Sequence, residues 1–364
     1  MNTELAVAGG VAERVPFDPD LTRDDVARIV EMRRDYEMRR SDEITARRRA
    51  QAEMVEAARQ RMAEIFGADV AFQIQQFKRA LRHRDAVRQL TDGRVDAAEA
   101  AAARAKELAD YVMTHGVDRT QFDLFTTDLR DIFKTSPLPD FGGKATVVVP
   151  PIRALGRSKV SHFRPPFWGE QWGDGAGLVS GFRVNINHLI DSVAGKVGHV
   201  ITLDDDAATD LDAGSMEGDT QVAFTYRVPR TGLIEVTINA VCGKANHHLS
   251  VFDEWGVSWS KVTQTASFMS HVIHPNVGAP SYSFLSVLKH DKDTSTNRDE
   301  NPYLPGQHVQ SSPMVSDGPV PAGTKVEIRA GLHSVDGSLT NDMEVHSRST
   351  QSWFIYDIAV QVLP

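Results

Sequence analysis

The sequence predicts an α+β protein with two parts: an extended N-terminal α-helical domain and a C-terminal antiparallel β-sandwich, jelly-roll or immunoglobulin-like. Two observations support this fold class: apolar residues recur at helical spacing over 21–134 and alternate in steps of two from Ala145 onward. Between these halves, TSPLPDFGG (135–143) concentrates prolines and glycines that break a helix. We therefore expect a flexible segment over 1–20, an α-helical arm or assembly domain over 21–134, a linker over 135–150 and the β-sandwich over 151–364.

The composition indicates a globular chain and excludes several classes of protein. With 364 residues, of which 41% are hydrophobic and 24% charged, the chain is long enough for two domains. A formal net charge of −9 argues against nucleic-acid binding, because phosphate recognition needs concentrated positive charge. Cys242 is the single cysteine, which excludes an internal disulfide and a thiolate zinc cluster.

The chain shows neither a basic, apolar leader nor an apolar run of about 20 residues, the length that crosses a bilayer. We therefore expect synthesis in the cytoplasm, with incorporation into an assembled particle or release by lysis as later fates. No apolar run indicates membrane contact.

The first predicted element is a long helix that begins after Leu21. Thr22 is suited to cap it, and Asp24 and Asp25 in the first turn complement the helix dipole. No proline or glycine interrupts 21–65, and apolar residues are dense near both ends of that range. The intervening stretch SDEITARRRAQAE is almost entirely polar, so it cannot lie inside one core. We expect an extended helix that packs against neighbours at both ends, with a regular coiled coil as the alternative.

Three more amphipathic segments, over 70–90, 96–115 and 120–133, complete the predicted arm. The second of them is rich in alanine, which favours close contact between helices. Such packing suits an assembly domain better than a catalytic pocket.

The clearest pattern in the β-half is QVAFTYRVPRTGLIEVTINAVC, from Gln221 to Cys242. Two alternating runs flank the turn Pro229–Gly232, which predicts a β-hairpin. Cys242 ends the second run in an apolar context, so we expect a small buried side chain there and not a catalytic thiol. The final run, SWFIYDIAVQV, predicts one apolar face that is formed by Phe354, Tyr356, Ile358, Val360 and Val362.

HFRPPFWGEQWGDGAG, from His162 to Gly177, is the most unusual segment, because large rings lie among prolines and glycines. Rings on a loop stack on sugars, insert in a membrane or clamp a protein partner, and they also plug the seam between the arm and the sandwich. DEWGVSW adds two tryptophans around a glycine, with the same two interpretations. The binding candidates are Phe163, Phe167, Trp168, Trp172, Trp255 and Trp259.

An acidic stretch, DKDTSTNRDEN, predicts a calcium site, because oxygen-bearing side chains recur at alternate positions. The candidate ligands are Asp291, Asp293, Ser295, Asn297 and Asp299. The stretch lacks the glycine and the flanking helices of an EF-hand, so a solvated loop is the alternative. His247 and His248 are adjacent and would face opposite sides of a strand, so we expect surface or loop histidines and no transition metal.

No coherent set of catalytic residues emerges from the sequence. HRD at His83–Asp85 and DFG at Asp140–Gly142 match kinase motifs in letters only, because the glycine-rich loop and the strand lysine are missing. The sequence also lacks HExxH, GxSxG and Walker motifs. We therefore expect a non-enzymatic protein.

The leading hypothesis is a structural or recognition protein in which the helical part drives homo-oligomeric assembly and the sandwich binds a protein partner or a glycan. Phage, tailocin and injection-particle appendages share this plan, by analogy of fold alone. One alternative is a membrane-active toxin whose helices rearrange. The other is a carbohydrate-binding lectin or glycan-active enzyme that uses the tryptophans. No motif identifies the ligand, the partner or the symmetry.

Overall fold

One long helix precedes a region that consists mostly of antiparallel strands. The computed structural model describes residues 21–74, 159–177, 182–205, 212–253, 259–292, 295–341 and 343–364, together with 4–5, 13–14 and scattered short stretches between 76 and 124. Helix α1 spans Arg23–Phe66. The strands within these ranges are β1 Glu4–Leu5, β2 Glu13–Arg14, β3 Ser161–Phe163, β4 Trp168–Gly177, β5 Phe182–His188, β6 Lys196–Asp205, β7 Asp212–Arg227, β8 Leu233–Asp253, β9 Trp259–Ile273, β10 Ser281–Lys292, β11 Thr296–Tyr303, β12 His308–Gln310, β13 Met314–Val315, β14 Lys325–Asn341 and β15 Met343–Leu363.

Two sheets pack face to face. The five-stranded sheet has the order β10-β9-β14-β7-β4, and the eight-stranded sheet follows the path β11-β8-β15-β6-β5. Strands β12 and β13 extend the larger sheet along β8, and β3 pairs with β15. All of these pairings are antiparallel. The prediction of an antiparallel β-fold in the second part of the chain is therefore confirmed.

The main core lies between the two sheets, where the inward-facing side of each alternating strand meets the other sheet. Both runs of the Gln221–Cys242 pattern contribute their predicted apolar faces. These buried residues are Val222, Phe224, Tyr226, Val228, Ile234, Val236, Ile238 and Ala240. Removal of this apolar surface from water is the main stabilising term of the sandwich.

The turn that follows Val228 does not close a hairpin. Strand β7 pairs with β14 and β4 in the five-stranded sheet, whereas β8 pairs with β15 and β11 in the eight-stranded sheet. The predicted hairpin is therefore wrong, because the turn carries the chain from one sheet to the other. Alternation of apolar residues is the same in both arrangements, so the pattern could not distinguish them. Cys242 is buried as predicted, and burial raises the pKa of its thiol.

The first half of α1 packs on the outer face of the five-stranded sheet. Thr22 caps the helix and forms a capping box with Asp25, in agreement with the sequence pattern. About two turns further on, an apolar cluster forms between the helix and β9. Its members are Ile29, Met32, Tyr36 and Ile273.

A buried ion triad also fixes this half of the helix on the sheet. Oε2 of Glu327 lies 2.5 Å from Nη2 of Arg33 on α1, and its Oε1 lies 2.7 Å from Nε of Arg329. Burial alone would raise the pKa of Glu327, but attraction to Arg329 and Arg33 lowers it below its ordinary value. Arg33 also lies over the ring of Trp168, with 4.9 Å between Cζ and the ring centroid. Charge pairing of this kind favours one docked position of the helix.

The middle of α1 is exposed, and its second half is buried again. Described side chains over 41–53 are exposed or half-buried. The buried residues that follow are Met54, Val55, Ala58, Met62 and Phe66. Helix α1 therefore has an exposed middle between two buried stretches, but the extended helical domain predicted over 21–134 is not supported as a unit, because most of its other residues lie outside the described ranges. The helices predicted over 70–90, 96–115 and 120–133, like the linker and most of 1–20, lie largely outside the described residues. No helix in the described part is both long and apolar enough to span a membrane.

A polar layer lies inside the sandwich, next to the main core. His247 is fully buried there, with Nδ1 3.0 Å from Oε1 of Gln264 and Nε2 2.8 Å from Oγ of Ser286. Gln264 also donates to Oγ of Ser347 at 2.6 Å, which links the two sheets. The prediction of a surface histidine is therefore wrong for His247, because a strand position with polar partners accepts it in the interior.

Asp336 lies in the same layer and faces Gln264 across β14 and β9. It is fully buried, and neither carboxyl oxygen has a hydrogen-bond partner of normal geometry. Burial raises its pKa well above the ordinary value, and the backbone N–H of Thr265 offsets this only in part. Burial therefore favours the neutral form of this carboxyl group.

We predict that Asp336→Asn stabilises the protein at neutral and alkaline pH. A carboxyl group with a raised folded pKa contributes its full stability below the unfolded pKa, and that contribution is lost as the pH rises through the folded pKa. The amide has nearly the same shape and does not ionise. We expect the free energy of unfolding to increase by about 1–3 kcal/mol at pH 8 and to change little near pH 4.

Urea denaturation at both pH values measures this difference. Ser334→Ala is the matched control, because Ser334 is fully buried on the same strand and has no titratable group. Its effect should not depend on pH. A difference between wild type and Asp336→Asn that is equal at pH 4 and pH 8 would contradict the prediction.

Candidate functional site

Two β-bulges interrupt the pairing of β8 with β15 close to one another. The extra residue is Gly243 on β8 and Tyr356 on β15. A bulge bends its strand and redirects side chains, and bulges are over-represented near functional sites. The stretch between these two bulges is therefore the leading candidate for a functional site.

The bulge at Tyr356 determines which side chains of β15 reach solvent. Trp353 and Ile355 are fully buried, whereas Phe354 and Tyr356 are 40% and 45% exposed on the outer face of the sheet. Beyond the bulge the alternation shifts by one residue, and Ile358 is buried again. The predicted single apolar face is therefore wrong at Phe354 and Tyr356. The extra residue at the bulge shifts the alternation by one position, so these two side chains lie on the opposite face of the sheet from Ile358.

Phe354 lies close to the backbone of β8. A Cβ atom at Gly243 would be only 3.0 Å from Cε2 of the Phe354 ring, so glycine at the bulge lets the ring approach the sheet. The strand register places His308, Val241, Phe354 and Lys196 in one row across four strands. Nζ of Lys196 is 5.9 Å from the ring centroid of Phe354.

Tyr356 and His308 extend this exposed surface. Their ring centroids are 5.6 Å apart, with an interplanar angle of 66°. We use the name aromatic patch for Phe354, Tyr356 and His308, which β12 and β15 contribute. Exposed large rings that are grouped on one face and bordered by polar residues are typical of an interaction site.

A carboxylate is held beside the aromatic patch. Asp357 is 7% exposed, and both of its carboxyl oxygens lie 3.1 Å from Nδ1 of His162. Oδ2 also accepts a hydrogen bond from Nδ2 of Asn239 at 3.1 Å, and Nε of Arg164 is 3.6 Å from Oδ1. These contacts fix the carboxylate, while the side chains of His162 and Arg164 remain largely exposed to solvent.

The remainder of this outer face is polar. Its outward-facing side chains include Asn185, Asn187, Thr202, Asn246, His248 and Arg348. In the same face, His346 has Nε2 3.0 Å from Glu344 and Nδ1 3.2 Å from Asp204. Hydrogen bonds to Glu344 and Asp204 outweigh desolvation and raise the pKa of His346 to about 9, so that it is a cation at neutral pH. Amides, hydroxyls and fixed charges of this kind bind hydroxyl-rich ligands.

The aromatic segment His162–Gly177 is not a loop. Strand β3 joins the eight-stranded sheet and β4 joins the five-stranded sheet, so the segment crosses the side of the sandwich. The ring centroid of Phe163 is 4.2 Å from that of Phe224, and that of Phe167 is 6.2 Å away. Both side chains are partly buried against the main core. These two rings therefore pack against the core between the two sheets, and sealing of the seam between the arm and the sandwich stays a prediction.

The predicted tryptophans do not join these rings in one exposed group among the described side chains. Trp168 is half-buried beneath Arg33 of α1. Trp172 lies in β4 and Trp259 begins β9, but their side chains lie outside the described residues, as does the whole of Trp255. A binding role for these residues stays a prediction.

The predicted calcium ligands are distributed over two sheets. Asp291 belongs to β10 in the five-stranded sheet, whereas Asn297 and Asp299 lie on β11 in the eight-stranded sheet. Ser295 lies between these strands, and Asp293 is outside the described residues. The alternation of Asn297 and Asp299 therefore reflects strand geometry and not a ligand loop. Among the side chains that the structure describes, no group of three or more His, Cys, Asp or Glu residues could hold a metal ion, and calcium binding stays a prediction.

Comparison with known proteins identifies no family for this chain. No protein-family model matches the sequence, and no curated protein matches it. One similar solved structure is TmCBM61 in complex with β-1,4-galactotriose, with 10% sequence identity and a TM-score of 0.10. The match covers 46% of this chain and 88% of that chain. A TM-score this low carries no argument, so the functional proposal rests on the geometry of the aromatic patch alone.

The sequence patterns did not single out the aromatic patch. The signal that the sequence offers for the patch is the run WFIY within β15, which places aromatic rings on both faces of the strand. Once Trp353 and Ile355 face the core, Phe354 and Tyr356 must face solvent. The sequence alone does not show which of the two faces is buried, because that depends on the bulge at Tyr356, and the bulge is defined by the pairing of β15 with β8.

Proposed function

We propose that this protein is a non-enzymatic recognition protein whose eight-stranded sheet binds glycans through the aromatic patch. One observation carries the proposal: the bulged stretch of β15 presents Phe354 and Tyr356 to solvent beside the fixed carboxylate of Asp357. An exposed ring stacks on the C–H face of a pyranose, and carboxylates, amides and imidazoles hydrogen-bond to its hydroxyls. A jelly-roll-like sandwich would supply the rigid support that such a surface needs.

A glycan fits this surface better than an apolar protein partner does. The centre of a protein–protein interface is depleted of charged residues. Here the rings of Phe354 and Tyr356 are bordered by the charged groups of Asp357, Lys196 and Arg164. Sugars satisfy both features at once, because a pyranose has an apolar face and a polar rim.

The assembly role predicted for 21–134 is part of this proposal. The exposed middle of α1 separates the helical region after Met54 from the sandwich. A homo-oligomer formed through that region would present several aromatic patches together. Multivalent presentation increases the avidity of weak sugar contacts by orders of magnitude. Appendages of phage-like particles would make use of this property.

We predict that Phe354→Ala and Tyr356→Ala each weaken glycan binding by at least about tenfold, which corresponds to about 1.4 kcal/mol of lost stacking. A glycan array identifies the sugars that the full-length wild type binds, and calorimetry measures the affinity of each variant for them. Circular dichroism checks that the variants remain folded. The loss arises because alanine removes the ring without disturbing the buried face of β15.

Phe284→Ala and Tyr282→Ala are matched controls. Phe284 and Tyr282 carry the same ring types, are 48% and 40% exposed, and lie on the five-stranded sheet instead. Both control variants should bind like wild type. The proposal fails if the wild type binds no glycan on the array, or if the patch variants retain wild-type affinity.

A further inference from the structure

We propose that the aromatic patch selects glycans that carry carboxylate groups, as uronic acids do; this inference rests on the proposed function. The observation behind it is a set of basic side chains that border the patch from three parts of the chain. Arg164 follows β3, Lys196 begins β6, and Lys244 lies on β8 next to the bulge residue Gly243.

Both lysines are available for an anionic ligand. Within the described residues, neither Lys196 nor Lys244 has a carboxylate within 4.0 Å. The ammonium group of Lys196 lies near the ring of Phe354, at 5.9 Å from its centroid. A pyranose that stacks on Phe354 would therefore place a carboxylate substituent close to Lys196.

The carboxylates near the patch are already engaged. Asp357 is shared by His162, Asn239 and Arg164. The backbone of Asp191 forms a β-bridge with that of Lys196 across the turn before β6. The side chain of Asp191 accepts a hydrogen bond from the backbone N–H of Ala194 at 3.2 Å. Neither carboxylate lies within 4.0 Å of the ammonium group of Lys196 or Lys244.

The local charge contrasts with that of the whole protein. The chain has a formal net charge of −9, so its overall charge repels an anionic polymer. Basic groups that border a stacking surface against such a background favour one orientation of an acidic sugar. A hydrogen bond between an ammonium group and a carboxylate is about twice as strong as a neutral one, and salt weakens it when both groups are exposed.

The test compares two acidic oligosaccharides with their uncharged, carboxyl-reduced counterparts. Oligogalacturonate and oligomannuronate are titrated against the full-length protein, together with the carboxyl-reduced form of each, at 50 mM and 500 mM NaCl. We expect the acidic form of at least one pair to bind about tenfold more tightly than its reduced form at low salt. The preference should shrink at high salt, where the Debye length is about 4 Å.

Lys196→Gln combined with Lys244→Gln should abolish the preference and leave the affinity for the reduced form unchanged. Lys289→Gln is the control, because Lys289 is exposed on β10 in the five-stranded sheet. Equal or tighter binding of the reduced forms to wild type overturns this inference while the proposed function stands. A preference that survives the double lysine substitution also overturns it. Failure of both forms to bind, with no glycan bound on the array either, overturns the proposed function itself.

Discussion

Glu327→Ala is expected to lower the free energy of unfolding by about 3–5 kcal/mol, the range for breaking a buried ion pair by removal of one partner. Glu327 is fully buried, and Arg33 and Arg329 are only 5% and 7% exposed. The substitution leaves two largely buried guanidinium groups without the carboxylate that they share. Urea denaturation of the full-length protein measures the loss, and a change below 1 kcal/mol contradicts the prediction.

A triple substitution separates the cost of unpaired charge from the cost of lost packing. Replacement of a whole buried ion network by apolar residues is often neutral or stabilising. Arg33→Leu, Glu327→Leu and Arg329→Leu together should therefore be less destabilising than Glu327→Ala alone. The pH dependence gives a second check: because the folded pKa of Glu327 is lowered, its contribution is present above the unfolded pKa and is lost as the pH falls through the folded pKa. The gap between wild type and Glu327→Gln should narrow accordingly in acid.

Trp353→Ala is expected to cost about 3–5 kcal/mol as well, the range for truncation of a large core side chain. Trp353 is fully buried and packs edge-on against Phe268 and Tyr303, with ring centroids 5.3 and 5.2 Å apart. Its indole N–H also donates to Oε1 of Gln351 at 3.3 Å. Alanine leaves a cavity among groups that the two sheets hold in place. Thermal and urea denaturation measure the effect.

The next residue along the strand is the control. Phe354→Ala removes a ring of similar size from the outer face and should change the free energy of unfolding by less than about 1 kcal/mol, as exposed substitutions do. The difference between the effects of Trp353→Ala and Phe354→Ala on the free energy of unfolding tests the position of the bulge directly. If Phe354→Ala were the more destabilising of the two, the inward face would be the one predicted from alternation alone, and the aromatic patch would not exist.

Features that depend on nearby residues were predictable from the sequence. The start of α1 follows from Thr22 and Asp25, which cap the helix through contacts three residues apart. Its polar middle and buried ends follow from the distribution of apolar side chains. The apolar faces of β7 and β8 were also correct, because alternation reports burial whichever strand lies alongside.

Features that depend on distant residues were not predictable. The crossing between β7 and β8 requires knowledge that β8 pairs with β15, a strand about 90 to 130 residues further along the chain. The outward position of Phe354 requires the bulge at Tyr356, which is defined only relative to Ala240 and Asn239 on the partner strand. His247 is buried because Gln264 and Ser286 approach it from other strands. In each case the missing information is the identity of the partner.

The position of β15 also has a consequence for how the chain is made. This strand pairs with β3, β6 and β8, all of which leave the ribosome before it does. Until β15 is translated, β6 and the 21-residue β8 each lack a neighbour on one edge, and exposed edges of that kind recruit strands from other chains. The eight-stranded sheet therefore cannot close during synthesis of its earlier strands. We therefore expect nascent chains of this protein to associate with one another more readily before β15 is translated than after it has paired.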